Sequence, residues 1–169
     1  MSDSQIDKIA QIAERISAEE NRRTRQTHTI NTLLEERQQV LVSMCELAEL
    51  ESGDVPPAAV IHNLRGFNQR LVDYTALGHF EIYERIIDGK ERRGNIKLIA
   101  DRVYPSISET TQLFVEFNDK YEGADEADSI VDLYQDLSSI GEAMADRIES
   151  EDMLLREISD NLESPSKSL

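Results

Sequence analysis

Apolar residues recur at three- and four-residue intervals along most of the chain, with almost none of the strict alternation that marks strands, so the sequence reads as all-helical. Four long helices are expected. The first runs from about Asn21 to Leu50 with Ile30, Leu34, Arg37, Leu41, Met44 and Ala48 inward, and Glu51-Ser52-Gly53-Asp54-Val55-Pro56-Pro57 breaks it. The second starts near Pro57, a residue suited to a helix's first turn, and extends through Gly78 to about Asp88. The turn between Gly89 and Gly94 leads into the third, whose inward set is Ile96, Ile99, Val103, Ile107, Thr110, Phe114, Phe117 and Tyr121. Pro105 removes a hydrogen bond there and is expected to bend it. After Glu122-Gly123-Ala124-Asp125, the fourth shows the cleanest heptad: Ile130, Tyr134, Leu137, Gly141, Met144, Ile148, Glu151, Leu155, Ile158 and Leu162.

Ahead of these, Ile6, Ile9, Ile12, Ala13 and Ile16 form one stripe of an extra N-terminal amphipathic helix, which either packs on the rest or stays mobile. The expected division is therefore an N-terminal helix over 1–20, a helical domain over 21–163 and a disordered tail over 164–169. Short connections between long amphipathic helices favour antiparallel neighbours, hence an up-down-up-down four-helix bundle. The length suits one domain, and no period of 20 to 50 residues suggests a solenoid.

The second helix carries apolar residues on two faces. At about 100° per residue, Leu64, Phe67, Leu71, Tyr74, Gly78, Ile82 and Arg85 share one side, while Asp73, Phe80, Glu84 and Ile87 fall roughly opposite with Leu77 at the margin. An aromatic ring framed by carboxylates and pointing away from the core suggests a binding surface. The alternative for Phe80 is packing beneath the N-terminal isoleucine stripe, which would make that segment autoinhibitory.

Charge narrows the partner. The formal charge of −16 argues against nucleic acid as a direct ligand and favours basic proteins; from Asp119 onward 15 acids stand against 4 bases, a net of −11, whereas Arg22, Arg23 and Arg25 cluster near the start. With no run of 18 apolar residues and a polar, acidic N-terminus, neither a membrane span nor a secretory signal is expected, and the protein reads as cytoplasmic. Cys45, among Leu41, Met44 and Ala48, is expected to be a buried structural thiol.

Three polar residues interrupt the apolar pattern. Arg37 and Glu151 occupy heptad positions that call for apolar side chains, and His79 flanks the core stripe beside Val72, Ile82 and Tyr83. Buried, such groups need partners. Counted at about 1.5 Å per residue, His79 and Glu151 fall at one level and a contact between them is expected, whereas an Arg37–Glu151 pair requires an offset in helix register. This internal polar network fixes register or takes part in partner switching.

Catalysis finds no support. The residues three before His28, His62 and His79 are Arg25, Ala59 and Ala76, so the Glu-x-x-His pairs of a di-iron bundle are missing, as are a nucleophile elbow, a phosphate-cradling glycine loop and an HExxH pair. No metal site and no cofactor are expected. A histidine phosphotransfer module needs an exposed histidine with basic and small residues in the next turn, but Phe80, Glu81, Ile82 and Tyr83 follow His79.

The run from Leu71 to Arg85, LVDYTALGHFEIYER, resembles the signature of the Rsd/AlgQ family of bacterial anti-sigma factors, approximately LVDYxSAGHFxIYE. The stretch from Leu137 to Met144, continuing through Arg147 to Glu151 and Asp152, resembles the family's last helix, and Tyr104-Pro105 its aromatic-proline step; together these cover roughly residues 22 to 157. The resemblance implies a four-helix bundle that binds the C-terminal, promoter-recognising domain of the primary sigma factor and keeps it from promoter DNA and core polymerase. It also implies that the positions of Asp73 and Phe80 lie on the sigma-contacting surface; the helical wheel adds Leu77 and Glu84 to the expected partner-binding set. The first helix departs from the family: where members resemble DRWLxxRQxL, Asn31 to Val40 lack the Asp, the Trp and the first Arg. That departure favours, as a second expectation, an adaptor role towards another signalling regulator.

Overall fold

Helical hydrogen bonding and apolar burial account for nearly all of the structure, a computed structural model that describes residues 3–87 and 93–163. Helix α1 spans Asp3–Glu49, α2 Pro57–Gly78, α3 Glu84–Ile87, α4 Gly94–Tyr121 and α5 Leu133–Glu163. A π-helical turn, His79–Tyr83, joins α2 to α3 without a break. The expected turn around Gly89, the Ile87 side chain and the tail from Ser164 lie outside the described residues.

α1 packs against α2 and α5, and α4 against α2 and α5, around one core that includes Leu33, Leu47, Leu64, Phe67, Leu71, Tyr74, Phe114, Leu133 and Met144. Phe67 and Phe117 meet edge to face with centroids 5.7 Å apart. α1 passes into a 3₁₀ turn at Leu50–Ser52 followed by extended Gly53, and Pro57 opens α2 at a position where its missing N–H is not needed. α4 continues through Pro105 to Tyr121. At its end the Asp136 carboxylate accepts hydrogen bonds from Lys120 Nζ at 2.6 Å and the Tyr121 hydroxyl at 2.5 Å, and Arg65 donates to the Ala124 carbonyl at 3.2 Å, tying the α4–α5 connection to α2.

Three sequence expectations require correction. The core row of α1 runs Ile30, Leu33, Arg37, Val40, Met44 and Leu47, one residue away from the expected Leu34, Leu41 and Ala48. Leu34 and Ala48 are exposed, Leu41 only flanks the core, and Cys45 is exposed rather than buried. Two offset 3-4 rows fit this stretch equally well, and packing on α2 and α5 selects between them. Second, Arg85 leaves the core stripe and Ile86 takes its place, because the π turn inserts one extra residue. Third, the expected separate N-terminal helix is the first part of α1, and from Asp3 to Arg22 every residue is exposed.

Candidate functional site

The π turn lies in the middle of the signature run. Its defining bond is from the Glu84 N–H to the His79 carbonyl, five residues back, while the His79 N–H still reaches Thr75 and Ala76 in the α2 pattern. The added residue turns Ile82 and Tyr83 both into the core and leaves His79, Phe80 and Glu81 outside. Phe80 is 61% exposed and meets the His79 ring edge-on at 4.9 Å between centroids.

Beside it runs an apolar groove of about 370 Å³ between α2 and α4, lined by Leu71, Val72, Thr75, Ala76, His79 and Phe80 on one side and Thr111, Phe114, Val115 and Asn118 on the other. Val72 and Val115 expose apolar surface at its margins. Asp73, next in sequence to Val72, is exposed and accepts a hydrogen bond from Gln69 Nε2 at 2.8 Å; Glu84 is exposed at the start of α3. Leu77 is half-buried and packs against the core. The isoleucine stripe of α1 does not cover Phe80: both are open to solvent.

Directly behind the π turn lies the polar network, with different members from those expected. His79 is excluded, since its side chain is exposed. Glu151 is fully buried at the centre and accepts hydrogen bonds from the Tyr74 hydroxyl at 2.7 Å on one carboxylate oxygen and from the Tyr83 hydroxyl at 2.7 Å on the other. Arg37 reaches Glu151 at 3.4 Å and makes its shorter bond, 2.7 Å, to Asp152. The Arg37–Glu151 pair therefore exists, and the helix offset it required is present.

Arg147 completes the network and is 1% exposed. Its Nε stands 3.5 Å from Glu151, while Nη1 donates to the Thr111 and Thr110 hydroxyls at 2.8 and 3.2 Å and to the Ile107 carbonyl at 3.3 Å. The guanidinium also lies 5.4 to 5.8 Å from the ring centroids of Tyr74, Phe114 and Tyr83. Gly78 makes room for this assembly: a Cβ there would sit 3.1 Å from Tyr83 Cε2 and 3.7 Å from Arg147 Nη2.

Burial, and then the Glu151 charge, push the hydroxyls of Tyr74 and Tyr83 well above the ordinary phenol range, so both stay protonated and donating. Burial pulls Arg37 down, but its bond to Asp152 and the nearby carboxylates outweigh that and raise it. Chemically the arrangement is a brace: three elements converge on one carboxylate, which anchors through Tyr83 the turn that presents Phe80. Arg147, Tyr74, Tyr83 and Asp152 were not assigned to the network from sequence. A signal for Arg147 was present in its i,i+4 spacing to Glu151 on one helix face.

Among the described residues no helix is long and apolar enough to cross a membrane. The family model described as regulator of RNA polymerase sigma(70) subunit, Rsd/AlgQ, matches residues 12–159. A regulator of sigma D from Yersinia enterocolitica serotype O:8 / biotype 1B is 35% identical over 131 residues, covering 75% of this chain and 78% of that protein. Another from Enterobacter sp. strain 638 is 36% identical over 135 residues, covering 78% and 81%, and one from Yersinia pseudotuberculosis serotype O:1b is 32% identical over 130 residues, covering 75% and 77%. No solved structure matches the chain significantly.

Proposed function

Because this chain belongs to the Rsd/AlgQ family of sigma(70) regulators, we propose that it is a non-catalytic anti-sigma factor acting in the cytoplasm. It binds the C-terminal, promoter-recognising domain of the primary sigma factor and sequesters it from core polymerase and promoter DNA. The four long helices serve as an antiparallel up-down-up-down bundle whose outer α2 face is the docking surface. The observation that carries this reading is Phe80: a large aromatic ring, 61% exposed on a braced turn, beside an apolar groove.

Such a ring is the anchor type that dominates protein interfaces, with Leu77 and the groove beneath it and the Asp73 and Glu84 carboxylates at its rim. A promoter-reading domain is basic because it neutralises phosphates, so an acidic chain of net charge −16 attracts it and competes with DNA. The acidic carboxylates act chiefly on encounter rate and orientation, and Phe80 on residence time. The test is calorimetric titration with the purified C-terminal domain of the primary sigma factor from the same organism. One-to-one saturable binding supports the reading; a folded protein that shows no heat and no displacement of sigma from core polymerase overturns it.

A second reading is an adaptor for another signalling protein. It rests on the altered first helix, where Asn31 to Val40 lack the family's Trp. A partner recovered through Phe80 in place of sigma would favour it.

A further inference from the structure

Ile6, Ile9, Ile12 and Ile16 are 53, 58, 55 and 52% exposed on the N-terminal stretch of α1, where every residue from Asp3 to Arg22, about 30 Å of helix, is exposed. Helices of this kind are marginal in water on their own, and a continuous aliphatic stripe is not needed for solubility. We propose that this stretch is an interface to a second copy of the chain, pairing parallel and in register with the same stretch of its partner.

The heptad gives the reason. With Ile9 and Ile16 at a positions and Ile12 at d, the g positions are Lys8, Arg15 and Arg22 and the e positions Ile6, Ala13 and Glu20. In a parallel pair g faces the partner's e five residues on, so Arg15 of each copy meets Glu20 of the other and the Lys8 stem covers Ala13. In an antiparallel pair g faces g, and Lys8 and Arg15 of one copy oppose Arg15 and Lys8 of the other. The row is therefore attractive in one orientation and repulsive in the other.

Its phase agrees. The isoleucine stripe lies roughly 100° around the helix from the core row of Ile30, Leu33, Arg37 and Val40, so a partner helix runs beside the body of the protein without passing through it. Pairing ends after about two heptads, where Glu19 at d and Arg23 at a are ion-paired at 2.8 Å within their own helix. A membrane surface is a poorer occupant: residues 3–20 carry five acids against two bases and no aromatic ring, which an anionic bilayer repels.

Sedimentation equilibrium of the full chain from low micromolar to several hundred micromolar is the test, and it does not depend on sigma binding. The mass is expected to rise from 19.2 kDa to twice that value. Ile9→Asp returns it to the monomer with an unchanged melting temperature, since Ile9 supports no core. Arg15→Glu weakens association tenfold or more, and Arg15→Glu with Glu20→Arg restores it. In a Cys45→Ser background, Gln5→Cys at a d position forms an intermolecular disulfide only if the helices run parallel. A single 19.2-kDa species throughout, a dimer indifferent to Ile9→Asp, a trimeric plateau, or cross-linking of the stripe to its own body each overturns the proposal.

Discussion

Replacing Glu151 by Gln removes the charge at the centre of the network while keeping its shape. Two hydroxyl donors at 2.7 Å lose a charged acceptor, and Arg147, 1% exposed, loses its only ion-pair partner among the described residues. Hydrogen bonds to charged groups contribute about 1.5–3 kcal/mol each, but the amide still accepts from one tyrosine, so roughly one such bond is lost. Uncompensated burial of a cation after its partner is removed costs about 3–5 kcal/mol, and the Thr110, Thr111 and Ile107 acceptors together with three aromatic rings hold the figure to the lower end. Together a loss of about 4.5–6 kcal/mol is expected, a large share of the ~5–15 kcal/mol typical of a domain. In a chain of this size that lowers the melting temperature by roughly 9–24 °C. Urea unfolding followed by circular dichroism measures it, and Tyr83→Phe in both backgrounds completes a double-mutant cycle with an expected coupling of about 1 kcal/mol or more. A change under 1 kcal/mol, or additive single effects, would refute the view that Glu151 holds the π turn.

Phe80→Ala, on a ring 61% exposed, should leave the melting temperature within a few degrees while weakening sigma-domain binding by about 2 kcal/mol, roughly thirtyfold, in calorimetry; affinity that falls only in step with unfolding removes Phe80 from the interface. Asp73→Ala should lower affinity and flatten its salt dependence together, measured by titration between low and physiological ionic strength. Gly78→Ala gains up to about 1 kcal/mol of helix propensity but crowds a Tyr83 ring pinned at its hydroxyl, costing about 1–3 kcal/mol, and should be net destabilising in urea melts. Tyr74 and Tyr83 are raised in the folded state, so the stability they hold is intact below the unfolded phenol value of 10.0 and lost as pH climbs above it; their phenolate absorbance should appear together with unfolding. Asp136 has the opposite sign: burial raises it, bonds from Lys120 and Tyr121 overcome that, and its net lowering makes its contribution present above 3.8 and lost on further acidification, a loss that Asp136→Asn should abolish in acid melts.

Periodicity alone determined the helical class, the inward rows of α2 up to Gly78 and of α4, and the outward position of Asp73 and Phe80, because burial of an apolar row is a local constraint repeated every turn. It left α1 ambiguous between two rows offset by one residue, and only contact with α2 and α5 selected Leu33, Val40 and Leu47 over Leu34, Leu41 and Ala48. The Leu71–Arg85 run points to the family from sequence alone. It did not reveal the π turn, since one added residue in a hydrogen-bond ladder leaves no mark in a pattern read at fixed pitch. That residue expelled His79 and Arg85 and brought Tyr83 to Glu151. The network likewise depended on the relative offset of α1, α2 and α5: Arg37 and Glu151 stood out in sequence as polar interruptions, but the distance between helices is a tertiary quantity, and only packing put both tyrosines and Arg147 around one carboxylate.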